Sequence, residues 1–425
     1  MNSIVCIWTF GLATLLSATA AISQQPPSTG KAVEQAPTPQ ELLIDRAKKT
    51  VIFLETRYIE DQKVKAWGGT GFFVFVGDSR VAPRGVTWLV TNKHMLHPPD
   101  RPYFDNVAIR VNAKNPHPNG GYVSEINLPV MDIAGNHYWV TDSDESVDLA
   151  ITVAIPNSDT DFENIPTEIF ATKETFKTKR INETDDVFFT GLYANYPGKN
   201  RNLPIVRHGK LALVTDERIP VDAHDPTKTE ELVLAEVTSF GGNSGSPVFL
   251  RLGGLRETGE ALSGYSYYLL GVMQGFFSES ADILFDITAS VHGTTSQNSG
   301  IAGVIPAEKI LEILATPRAK AMTDAVIANG LREDAKYPEA EELYKHTIAE
   351  IESDEGVHHP DLIAPLEGYA EMLKRVGRNQ EAAKVLARAQ SIRDGTNKNP
   401  ATGQPVPITK SCLPSECEKI LTAKP

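Results

Sequence analysis

Seven apolar or β-branched runs (Val51 to Tyr58, Gly71 to Val76, Thr87 to Thr91, Val187 to Leu192, Pro204 to Val214, Glu231 to Val237 and Tyr267 to Met273) are bounded by Gly, Pro, Asn or Asp, with no helical spacing between them. Runs of that length and composition read as strands, and many short strands without intervening helices favour barrels. Near Thr316-Pro317 the character changes, and up to about Arg393 the chain is rich in alanine and glutamate at helical spacing. The expected fold is mainly β, followed by a small α-helical domain. The 425 residues, 41% hydrophobic and 22% charged, allow two domains with a sizeable core in at least one. A net charge of −13, with no basic cluster long enough to track a phosphate backbone, argues against nucleic acid as a partner.

Chemistry concentrates in three segments. Gly242-Asn243-Ser244-Gly245-Ser246-Pro247 follows Phe240-Gly241 and opens onto the apolar Val248-Phe249-Leu250. A serine hydroxyl attacks a carbonyl only if a base takes its proton and fixed N–H groups receive the oxyanion. The glycines let amides converge beside the serine, and the donors expected are the N–H groups of Gly242 and Ser244. Each of these residues also favours turns, so an ordinary turn between two strands is the alternative. The second segment, Thr87 to His94, delivers His94 from the end of a strand. In the third, Val147 to Val153, Asp148 begins an apolar strand and needs a buried partner. The chain order His94, Asp148, Ser244 is one of several in which hydrolase folds carry such a triad. Ser244 would be the nucleophile and His94 the general base, with Asp148 holding the imidazole tautomer.

These segments resemble trypsin-like serine proteases of the bacterial, disulfide-free kind, especially glutamyl endopeptidases and Deg-type proteases. The resemblance covers roughly residues 42 to 317. It rests on Thr70-Gly71-Phe72-Phe73-Val74, Thr91-Asn92-Lys93-His94, Val147-Asp148-Leu149-Ala150, Gly242 through Pro247, and Gly303-Val304-Ile305-Pro306 with the following Ala307-Glu308-Lys309. It implies a chymotrypsin-like double six-stranded barrel, with His94 and Asp148 from one barrel and Ser244 from the other. It also implies peptide-bond hydrolysis through an acyl-enzyme, with a peptide or protein substrate, no cofactor and no metal.

In glutamyl endopeptidases a histidine downstream of the serine binds the substrate carboxylate. The matching stretch here is Leu269 to Gly275, and Met273 stands in that place. A thioether cannot pair with a carboxylate as imidazolium can. Thr238 and Ser239 are expected at the base of the primary pocket, with Met273, Gln274 and Gly275 along its wall. The pocket is therefore expected to be uncharged, unsuited to acidic or basic residues. The alternative for Met273 is core packing.

At the amino terminus, Ile4 to Ala20 is apolar and charge-free and ends in Ala18-Thr19-Ala20, a small-x-small cleavage pattern. Residues 1–20 are therefore expected to be an export signal, although no Lys or Arg precedes the apolar run. An uncleaved membrane anchor is the alternative. Residues 21–40 read as a Pro/Gln-rich linker, 41–317 as the protease-like domain, 318–395 as the helical domain and 396–425 as a tail. Cys412 and Cys417 would form a small disulfide loop in an oxidising compartment, periplasmic or extracellular, or else two exposed thiols.

Within the helical region, Pro338 to Tyr344 returns as Gln380 to Leu386, and His359-Pro360-Asp361-Leu362 opens the intervening helix. This resembles tetratricopeptide repeats of the kinesin-light-chain type, whose period exceeds the usual one of about 34 residues. So short an array needs a neighbour to cover its apolar faces. It would serve either as a docking surface for a protein partner or as a brace on the barrel. Two competitors stand beside the exported endopeptidase: a protease-fold scaffold with negligible turnover, and an esterase. The stretch between Phe277 and Ser299 is read as an insertion able to lie over the site.

Overall fold

The computed structural model describes residues 39–98, 100–222, 225–255, 261–284, 292–395 and 406–412. Residues 1–20, expected to be an export signal, nearly all of the expected linker, and Cys417 lie outside these residues. Leu43–Pro425 forms one compact unit.

A helix, α1 (Pro39–Thr50), leads into β1 (Val51–Glu60), β2 (Lys63–Gly77), β3 (Gly85–Thr91), β4 (Asn106–Asn112), β5 (Val123–Pro129), β6 (Val140–Thr141), β7 (Ala150–Ala154) and β8 (Ile165–Pro166). These strands build the first sheet, in the order β5-β4-β1-β2-β3-β7-β6, with β8 against β2. Next come α2 (Lys173–Lys179), β9 (Asp186–Gly191), β10 (Ile205–Leu213), β11 (Ile219–Pro220), β12 (Thr229–Glu230), β13 (Val233–Glu236), β14 (Pro247–Leu255), β15 (Ala261–Leu284) and β16 (His292–Pro306). Six of them close an antiparallel barrel in the order β10-β13-β16-β15-β14-β9, while β11 and β12 form a separate hairpin. Each of the seven runs expected as strands is one.

The double barrel expected from the resemblance is not what forms. One barrel closes; the first sheet stays open, ending at β5 on one side and β6 on the other. The reason lies in those edges. β6 has only two residues and β5 is largely solvent-facing, and they are linked by an irregular segment holding a single bridge, Met131 to His137. That segment offers isolated bonds, such as Tyr138 N–H to Val130 O at 2.9 Å, in place of a ladder.

The described part of the stretch between Phe277 and Ser299 has regular pairing. It continues β15 and β16 as a paired arm, in register from Ser278 opposite Asn298 to Leu284 opposite His292. The tail contributes structure as well: β17 (Ser411–Cys412) pairs with β1, and Asp105 accepts hydrogen bonds from the Ser411 backbone N–H and hydroxyl, each at 2.9 Å. Cys412 is disulfide-bonded.

After the barrel come α3 (Ala307–Leu314), α4 (Pro317–Glu333), α5 (Tyr337–Asp354), α6 (Ile363–Arg375) and α7 (Asn379–Gly395). Thr316 caps α4 by accepting from the Ala319 N–H, with Pro317 in the first turn, where its missing N–H costs nothing. Successive helices α4 to α7 pack against one another and bury Ala325, Ala328, Tyr344, Leu366, Ala370 and Leu373. Their apolar surface is continuous with that of the sheets, because one core cluster runs from Trp88 and Val90 through Ile310 and Ile313 to Ala328 and Tyr344. Gly330 of α4 lies against Val81, and Arg80 Nη2 reaches Asp324 at 2.5 Å. Arg318 is a further clamp: it bonds Asp361 at 2.7 Å and the carbonyl oxygen of His137.

Candidate active site

His94 and Asp148 meet because β3 and β7 are antiparallel neighbours with Thr91 opposite Ala150, so the residues just beyond each strand end face one another. The chain then turns through the 3-10 segment Lys93–Leu96. Asp148 is tied to that turn several times. Its carbonyl oxygen accepts from the Asn92 side-chain amide at 2.9 Å and from the Lys93 N–H at 3.2 Å. Its Oδ1 accepts from the His94 backbone N–H at 2.9 Å, and its Oδ2 lies 2.5 Å from His94 Nδ1. Two bonds to one residue fix both the position and the rotation of the ring, leaving Nε2 as the nitrogen free to act on another group. The His94 side chain is 32% exposed against 15% for Asp148, so the base faces the cleft and the acid lies behind it. Trp67 Nε1 donates to the His94 carbonyl oxygen at 2.9 Å.

Ser244 lies in the loop between β13 and β14. Gly242 and Gly245 in that loop have φ of +96° and +83°, a region that disfavours side chains. At Gly245 a Cβ would overlap the carbonyl oxygen of Thr70, so backbone and backbone touch there. Asn243 is buried and holds the turn from inside, accepting from the Phe240 N–H at 2.8 Å and donating to the Leu192 carbonyl oxygen at 2.7 Å.

Amides alternate in role along this loop. Those of Asn243, Gly245 and Ser246 donate to Phe240, Met273 and Asn243 carbonyl oxygens. Among the described residues, the amides of Gly242 and Ser244 meet no acceptor. These are the two donors expected from the sequence.

Thr70 of β2 joins the two halves. Its N–H donates to Ser244 O at 2.8 Å, and its hydroxyl accepts from the Leu192 N–H and donates to Gly242 O, both at 2.9 Å. Its own carbonyl oxygen accepts from the Thr91 hydroxyl at 2.8 Å, two residues before the histidine turn begins. At Gly69 a Cβ would meet both Ser244 O and the sulfur of Met95, the residue after His94. The serine loop and the histidine turn thus share one wall. No hydrogen bond joins Ser244 Oγ to the His94 ring among the described residues.

Of the residues expected to bind substrate, Thr238 is exposed and Ser239 is buried, its hydroxyl without a partner among the described residues. Met273 is fully buried in the barrel core with Val248, Leu250 and Leu270, while its backbone pairs with Ser246. Gln274 and Gly275 line a cavity of about 450 Å³ together with His94, Asp148, Val221 and Phe277.

The sequence reading missed Glu230. This carboxylate, in β12, accepts from the Gln274 side-chain amide and is pushed up to about 7, chiefly by burial and secondarily by the charge of Asp148. No motif marks it; its only sequence signal is an acid beside the apolar run that forms β13. The β11–β12 hairpin that carries it is anchored by Arg218, which bonds Asp144 at 3.2 Å and the Thr229 carbonyl oxygen at 2.7 Å.

Away from the cleft, Asp324, His346 and Glu350 bring donor atoms within 4.8 Å of one another, close enough to share a metal ion. The Arg80 guanidinium already occupies Asp324 and opposes a second cation there. No protein-family model matches the chain, and no curated protein matches it.

Proposed function

We propose that the protein is an exported serine endopeptidase using His94, Asp148 and Ser244. The carrying observation is the orientation of His94 by both oxygens of Asp148, next to a serine loop whose Gly242 and Ser244 amides are unbound. In this reading Ser244 Oγ attacks the scissile carbonyl carbon as His94 Nε2 takes its proton. The oxyanion receives the two amides, and the C–N bond breaks as His94 protonates the leaving amine. Water, deprotonated by the same imidazole, then releases the acyl group. The fold would be chymotrypsin-like in chain order, with its first half an open sheet. The primary pocket would be uncharged, with Ser239 at its base, and Gln274 and Gly275 would line the neighbouring cavity beside His94. The disulfide at Cys412 supports an oxidising compartment. In this reading the helical region braces the first sheet through Arg80 and Arg318.

A scaffold that binds partners without turnover is the second reading, favoured by the lack of a bond between Ser244 Oγ and the imidazole. Labelling with a fluorophosphonate discriminates the two. Labelling of the wild type that disappears in Ser244→Ala supports the enzyme, and folded wild type left unlabelled overturns it.

A further inference from the structure

Behind the Gln274 wall of the cavity beside His94 lies an arrangement that proton transfer at Ser244 does not use. Glu230 is largely withdrawn from solvent, and its carboxylate accepts a hydrogen bond from a neutral donor, Gln274. Among the described residues it has no ion pair. The charged groups that act on it are Asp148, which repels its ionised form, and Arg218 and His94, which attract it. Arg218 is spent on Asp144, Ser146 and Thr229. A carboxylate so placed is costly unless a cation joins it.

The space in front of Gln274 is open. Gln274 lines the cavity whose other walls include Val221, Phe276 and Phe277, with Asp222 also contributing. Apolar walls leading to the Gln274 amide, with the Glu230 carboxylate bonded directly behind it, suit a long aliphatic stem whose cationic head takes the place of that amide.

Resting on the protease reading, we propose that this subsite takes a lysine or arginine side chain of the substrate and that Glu230, positioned by Gln274, is its specificity determinant. The site is separate from the primary pocket at Ser239. Entry of the ammonium or guanidinium group ionises Glu230, and the displaced proton goes to solvent. Affinity for the basic side chain therefore strengthens as pH rises through the range in which Glu230 titrates.

The test uses the full mature chain carrying Ser244→Ala, so that binding is read without turnover. Fluorescein-labelled peptides differ only in lysine against norleucine, at one of the three positions preceding the residue before the scissile bond. Fluorescence anisotropy at about pH 6 and about pH 8 should show, at one position, a lysine preference of roughly tenfold or more at the higher pH that shrinks at the lower. Adding Glu230→Gln should abolish it. Calorimetry in buffers of different ionisation enthalpy gives a readout that needs no second variant: the lysine peptide should release a proton that the norleucine peptide does not. Equal affinities at every position, a preference that survives Glu230→Gln, or no proton release overturns the subsite. Fluorophosphonate labelling of the wild type is run in parallel. Unlabelled protein that still prefers lysine sinks the enzyme alone, whereas labelled protein without that preference sinks the subsite alone.

Discussion

The backbone N–H of Thr70 donates to the carbonyl oxygen of Ser244 at 2.8 Å, binding the Ser244 loop to the strand beside the histidine turn. The Thr70 hydroxyl adds two bonds, to the Leu192 amide and the Gly242 carbonyl. Thr70→Val keeps the shape but orphans both buried groups. Chemical denaturation should show a loss of about 1–3 kcal/mol, and fluorophosphonate labelling should slow because the loop is no longer held.

Asn243 sits immediately before Ser244 and satisfies Leu192 O and the Phe240 N–H at once. Asn243→Ala leaves both without their partner, at a cost of about 1–3 kcal/mol. Asn243→Asp can still accept from Phe240 but cannot donate to Leu192. Thermal melts should rank wild type above both variants, and both should label more slowly with the fluorophosphonate.

Asp148 Oδ1 is fixed by the His94 amide, so an asparagine here would keep its oxygen on that amide and turn its NH₂ toward Nδ1. The imidazole would then carry its proton on Nε2, the wrong nitrogen for a base. Asp148→Asn should lower kcat on a peptide substrate by roughly 10⁴ while leaving the melting temperature close to wild type.

Glu230 is raised from 4.5 to about 7 in the folded protein. Between those values the folded state binds more protons than the unfolded one, so this group's stabilising contribution is fully present below the lower value. It is lost as pH rises through the upper one. The melting temperature of Glu230→Gln, compared with wild type across that window, should gain on the wild type as pH increases. A constant difference would show that the carboxyl does not titrate there.

Arg318 pairs with Asp361, whose side chain is 7% exposed, and reaches the His137 carbonyl on the first sheet. Removing the guanidinium leaves a buried carboxylate without its main cation. Arg318→Ala should destabilise by about 3–5 kcal/mol. Truncation after Thr316 should go further, since it uncovers the core that Val81, Val86 and Trp88 share with the helices. Unchanged melting temperatures in both variants would end the brace reading.

Much of this was legible locally. The strand runs announce themselves by composition, and Thr316-Pro317 marks the start of α4 through cap chemistry that operates within one helical turn. The turn at Asn92-Lys93-His94 and the left-handed glycines at 242 and 245 are also near-neighbour effects. Their place in the chain pointed to three side chains, and the structure joins two of them directly, His94 and Asp148. It brings the third residue, Ser244, against the same wall through Gly69 and Thr70.

Whether a sheet closes depends on how its two edge strands match, and β5 and β6, though only a short segment apart in sequence, are too ill-matched to pair, so the open first sheet could not be read from its strands. Thr70 looks like any β-branched strand residue until three other segments converge on it. Glu230 reads as one of many surface acids in a chain of net charge −13. Periodicity, turns and caps are decided by residues within a few positions of one another, so the sequence alone settled them. The proton affinity of a carboxylate and the partner of a hydroxyl are decided by burial and by charges from distant segments, which exist only once the chain has folded.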